Sequence, residues 1–114
     1  MTDAGSTSHW QLVETEGHAV IALDGEIDLA VAPTLGTELV DQVAKLTGDV
    51  VLDCSDLTFI DSTGLKALLR VQQSLEADGR TLALRNVSDA CRRPIEICGL
   101  TEVLGVTAED APSE

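Results

Sequence analysis

The chain has 114 residues, 44% of them hydrophobic, and this fits one compact domain with a real core. Aromatic residues make up only 2%, so that core is expected to be aliphatic. Twenty acidic residues against seven basic ones give a formal net charge of -13, which disfavours nucleic acid and anionic membrane surfaces as partners. No apolar run approaches the roughly 20 residues of a membrane span. The opening residues Met1 to Ser8 lack the basic and apolar stretches of a secretory signal, so the expected location is the cytoplasm. Cys54, Cys91 and Cys98 have no C-x-x-C spacing, and all three read as small buried hydrophobes rather than metal ligands.

Residues 1–8 are small and polar, and residues 108–114 are acidic with one proline, so both read as flexible tails around a domain at 9–107. Trp10 to Glu14 is predicted as a strand, turned by Glu16-Gly17 into a second strand, His18 to Leu23, which Asp24-Gly25-Glu26 ends. A helix is predicted from about Pro33, with Leu35, Leu39, Val43 and Leu46 on its apolar stripe and Gly48 as its stop. Val50 to Leu52 is a short continuous apolar run, as in a strand covered on both faces. A loop through Ser55-Asp56 then leads to a second helix ending near Ala77, with Leu65, Leu68, Leu69 and Leu75 inward and Asp78-Gly79 closing it. A strand at Thr81 to Leu84, a third helix capped by Ser88-Asp89 with Pro94 inside it, and a last short strand at Val103 to Val106 complete the pattern. This alternation predicts an α/β fold, a mixed sheet with a starting hairpin and helices packed on it.

The stretch richest in chemistry is Asp61-Ser62-Thr63-Gly64-Leu65, at the entrance to the second helix. Backbone N–H groups at a helix start lack intrahelical partners and favour negative charge. A hydroxyl there suits phosphorylation. Asp and Ser are also ordinary N-caps, so a purely structural role stands beside the functional one. Lys66 and Arg70 continue the exposed face of the helix from Ser62.

Val51 to Leu65 resembles the signature of STAS domains, particularly the bacterial anti-sigma factor antagonists. Leu23-Asp24-Gly25-Glu26-Ile27-Asp28 is similar to the family's turn after the second strand, and Arg93 to Leu100 to its last helix, which ends in a Gly-Leu pair. The resemblance implies a switch. An unphosphorylated antagonist binds an anti-sigma factor, a serine kinase of the histidine-kinase-like ATPase fold, and frees the sigma factor. Phosphorylation of the serine breaks the complex, and a metal-dependent serine phosphatase restores it. By position the acceptor is Ser62, with Thr63 the neighbouring alternative. The docking surface carried over is Asp28, Asp61, Thr63, Gly64, Leu65 and Lys66. ATP belongs to the kinase, so no cofactor is expected in this chain. Lys66 departs from the family, where many members carry a small or apolar residue.

Two other readings compete. The same fold serves as a subunit of membrane transport complexes, including lipid transport. A catalytic or nucleotide-binding domain is the other; His9 or His18 would then have to approach Ser62 as a base. No G-x-S-x-G or P-loop motif supports it.

Overall fold

A computed structural model describes residues 9–15 and 18–106. The tails expected at 1–8 and 108–114, and the turn at Glu16-Gly17, lie outside the described residues. The elements are β1 (Trp10–Thr15), β2 (His18–Ile27), α1 (Ala32–Ala44), β3 (Val50–Ile60), α2 (Ser62–Ala77), β4 (Leu82–Arg85) and α3 (Asp89–Ile97). The sheet order is β1-β2-β3-β4, with β1 antiparallel to β2 and the other two pairs parallel. The chain therefore forms the mixed α/β layer that the sequence pattern predicts.

One aliphatic cluster holds the layers together. Ile21 and Leu23 of β2, Val50 and Leu52 of β3, and Leu84 of β4 meet Leu39 and Val43 of α1, Leu68 and Val71 of α2, and Ile95 of α3. Trp10 packs against this cluster while its indole N–H donates to Glu38 of α1 at 2.9 Å, pinning the edge strand to a helix. Val50, Val51 and Leu52 are all buried, as expected of a strand covered on both faces, although Val51 lies outside the main cluster. Side chains alternate across β3, so Val50 and Leu52 join the main cluster while Val51 points to the opposite face.

Four boundaries differ from the sequence reading. β3 runs eleven residues and does not stop at Leu52, and Ser55 and Asp56 lie within it as exposed strand residues. β2 likewise continues through Asp24 and Gly25 to Ile27. The pairing there shifts register twice, between Ala22 and Asp24 and between Gly25 and Glu26, and Gly25 takes a φ of 74°. Such irregularities let a strand bend and twist while its pairing continues. Thr58 adds a bond from its hydroxyl to the Gly25 carbonyl at 3.1 Å. Helix α1 ends at Ala44, so Leu46 lies beyond it and is only half-buried. The segment Val103 to Val106 is a turn that touches the sheet through a single Leu84–Val106 bridge.

Helix α2 ends as Asp78-Gly79 suggests. Gly79 N–H donates to the Glu76 carbonyl and Arg80 N–H to the Leu75 carbonyl, the paired bonds that a left-handed glycine (φ 73°) makes possible. That turn delivers Arg80 to the far end of α1. Its guanidinium, 13% exposed, donates to the carbonyls of Gly48 at 2.7 Å and Val43 at 3.1 Å. Helix α1 has no basic residue in its own last turn, so Arg80 supplies the cation its C-terminal dipole favours.

Cys54 and Cys91 are buried, as expected of small hydrophobes, and their thiols face the Leu52 and Leu57 carbonyls at 3.7 Å. Burial, with Cys91 and Asp53 adding to it, pushes the Cys54 thiol up to about 12. It stays protonated and inert at neutral pH. Cys98 departs from the expectation and is exposed, because it lies past the last residue of α3.

Candidate functional site

The carboxyl ends of two parallel strands create the site. β2 ends at Ile27 and β3 at Ile60, and the Asp61 N–H donates to the Ile27 carbonyl at 3.2 Å, so the two following loops lie side by side. The first loop is shaped by Asp28, whose carboxylate accepts the Ala30 N–H at 3.1 Å while its carbonyl accepts from Val31 and Ala32. This turn starts α1 without a side-chain cap at Val31.

The second loop is a single residue. Asp61 is the N-cap of α2, and its Oδ1 accepts the Gly64 N–H at 3.0 Å and the Thr63 hydroxyl at 2.5 Å. These two bonds, the Thr63 hydroxyl foremost, hold the Asp61 carboxyl below its ordinary value. The bland reading of Asp61 as a cap is therefore correct, and Ser62 is left without that duty. Ser62 opens the helix and is exposed, with Thr63 half-buried behind it.

Gly64 and Leu65 are buried. A Cβ on Gly64 would stand 2.5 Å from Ile60 Cγ1 and 2.8 Å from the Ile27 carbonyl oxygen, so only glycine lets the helix start this close to both strands. Leu69, expected on the inner face, is only partly buried, and Ala67 and Val71 occupy the core instead.

Two apolar hollows flank the first turn of α2. On the α3 side, a hollow of about 500 Å³ is lined by Ser62, Leu65, Ala90, Arg93, Pro94, Ile97 and Cys98. On the α1 side, one of about 230 Å³ has Leu29, Pro33 and Ala67 with Thr63, Lys66 and Arg70. Ile97 is 77% exposed and Leu29 68%, the highest values for large hydrophobic side chains among the described residues. Ser62 and Thr63 thus form a ridge with an uncovered aliphatic side chain on either side. Three of the chain's seven basic residues, Lys66, Arg70 and Arg93, line the hollows. The sequence reading brought together Asp28, Asp61, Ser62, Thr63, Gly64, Leu65 and Lys66, and all stand at this end of the sheet. It missed Leu29, Arg93 and Ile97, which reach the site only through the fold.

His18 opens β2, while Ser62 follows the far end of the β3 strand paired beside it, so His18 is not placed to serve Ser62 as a base. No group of three or more His, Cys, Asp or Glu side chains suited to a metal exists among the described residues. No helix among them is long and apolar enough to cross a membrane.

The model of the STAS domain matches residues 9–111. The chain belongs to the STAS domain family. This STAS domain is similar to an anti-sigma-B factor antagonist of Bacillus subtilis (strain 168), 29% identical over 96 residues, which are 84% of this chain and 87% of the relative. It is also similar to a solved anti-sigma factor antagonist from Mycobacterium paratuberculosis, with 30% identity and a TM-score of 0.73 over 90% of this chain and 88% of that one. A third likeness is to the Bacillus cell fate determinant SpoIIAA, solved in its phosphorylated form, at 26% identity and a TM-score of 0.64 over 90% and 95% of the two chains.

Hydrogen bonds to three carboxyls of this STAS domain contribute to its acid behaviour. Asp61 is joined by Asp49, lowered by the Thr81 N–H, and by Asp53, where burial pushes upward but bonds from Asn86 and Ser55 outweigh it. A carboxyl lowered by folding stabilises the fold above its unfolded value, here about 3.8, and that contribution is lost as pH falls through the lower folded value. Urea midpoints should therefore hold level near neutrality and decline as pH drops below about 4. In Asp61→Asn, which can still cap, the acid decline should be shallower; an unchanged acid limb would show that Asp61 contributes none of it.

Proposed function

We propose that this chain is an anti-sigma factor antagonist, a docking module switched by phosphorylation of Ser62. The observation that carries the reading is the exposed Ser62 hydroxyl on a ridge between two uncovered aliphatic hollows. In the unphosphorylated state the ridge and hollows bury against an anti-sigma factor, a serine kinase of the histidine-kinase-like ATPase fold, and the sigma factor is freed. Asp28, Thr63 and Lys66 stand on this face, with Asp61 and Gly64 fixing the turn and Leu65 forming the floor of one hollow. A phosphate on Ser62 adds about 1.5 to 2 negative charges at the centre of that contact. Keeping it hydrated is incompatible with burying the apolar rims, so the complex breaks. A metal-dependent serine phosphatase resets the switch. ATP is bound by the kinase; the chain itself needs no cofactor, catalyses nothing and works in the cytoplasm. The names of the relatives and the phosphorylated form of SpoIIAA support this reading.

The test uses the full chain and its Ser62→Asp and Ser62→Ala variants as baits, with captured proteins identified by mass spectrometry. The recovered ATPase is then incubated with ATP and wild type, and the phosphorylated residue is mapped. Wild type and Ser62→Ala should retain the kinase, phosphate should appear on Ser62, and Ser62→Asp should bind about 100-fold more weakly, a change of roughly 3 kcal/mol. Equal recovery of one set of transport components by all three baits would replace the switch with the subunit reading.

A further inference from the structure

We propose that Arg93 is the receptor for the phosphate on Ser62, so that phosphorylation closes the α2–α3 hollow as well as charging its rim. This rests on Ser62 being the acceptor. The two residues come from different helices and line the same hollow, with Leu65, Pro94 and Ile97 between and beside them. Arg93 is the one charged residue among those lining it.

Arg93 is also uncommitted. Its side chain is exposed and makes no hydrogen bond or ion pair with another described residue, whereas the Arg80 side chain holds two carbonyls and that of Arg92 donates to the Val87 carbonyl. Arg70 and Arg85 are uncommitted too, but neither lines this hollow, so Arg93 is the free guanidinium placed on it. Its planar fork matches a phosphate through two parallel hydrogen bonds, which a lysine cannot reproduce. Beside Ser62 on α2, Asp61 is already bonded to Thr63 and Gly64, and Lys66 and Arg70 line the opposite hollow. A phosphate on Ser62 therefore turns toward α3. Paired with Arg93, it lies across the apolar floor, and the seat for a partner's aliphatic side chain is filled from within.

The test needs no kinase. Phosphoserine is installed genetically at position 62 of the full chain, and its second pKa is read by a phosphorus NMR titration. Without a cation nearby that value is about 6. Arg93→Gln should raise it relative to the otherwise unchanged phosphoprotein by about 0.5 to 0.8 pH units, the Coulomb effect of one charge ~4–6 Å away in water-like surroundings. Arg85→Gln removes a charge beside the start of β3 and should move it by less than about 0.2. Proton–nitrogen spectra confirm that both variants keep the fold. A titration that ignores Arg93→Gln, or that responds equally to Arg85→Gln, overturns the proposal while leaving Ser62 as acceptor. A kinase that maps to another residue overturns the acceptor reading alone.

Discussion

Gly64→Ala is expected to destabilise the domain by about 3 kcal/mol, a fall in Tm of roughly 12–20 °C for a chain of this size. Two effects oppose each other at this residue. Alanine is the better helix former by about 1 kcal/mol, so propensity alone predicts a gain. The added methyl, however, would stand 2.5 Å from Ile60 Cγ1 and 2.8 Å from the Ile27 carbonyl oxygen. That carbonyl already accepts the Asp61 N–H, so neither strand end can retreat without breaking the bond that sets the two loops side by side. Overpacking should win. Thermal melts of wild type and variant give the sign directly, and a stabilised variant would mean that α2 starts farther from β2 than described.

Arg80→Ala should cost about 2–3 kcal/mol, although Arg80 is far from the candidate site. Its guanidinium donates to Gly48 and Val43, and hydrogen bonds from a charged donor contribute about 1.5–3 kcal/mol each. Part of this is offset, because Nη2 is buried without a partner and removing it relieves a desolvation cost. The Val43 carbonyl also keeps the Leu46 N–H, so the heavier loss is at Gly48. Arg80→Lys, retaining charge but not the fork, should lie between the two. Urea denaturation distinguishes these cases; an Arg80→Ala midpoint equal to wild type would show that the clamp adds nothing.

The parts of the fold readable from sequence are those governed by neighbours along the chain. The Asp61 and Ser88 caps, the Gly79 ending and the Leu65, Leu68 and Leu75 stripe of α2 are local signals, and the structure places each where expected, Leu69 alone turning out only partly buried. The long β3 was not readable. Its exposed polar residues Ser55 and Asp56 look like a loop, and its burial departs from strict alternation because β2 shifts register beside it. Arg80 shows the same limit, since its value lies in carbonyls 32 and 37 residues earlier in the chain. At the site, the Asp61-to-Lys66 ridge was legible because it is contiguous. The rims were not: Leu29 and Ile97 look like ordinary core residues until the fold leaves them uncovered.

Pro94, in the interior of α3, has one more consequence. Proline has no N–H, so it cannot give the bond that the carbonyl four residues earlier would otherwise accept. That carbonyl belongs to Ala90, which lines the same hollow as Ile97 and Ser62. The Ala90 carbonyl therefore goes without its usual helical donor, one bond fewer to hold the first turn of α3 beside Ser62.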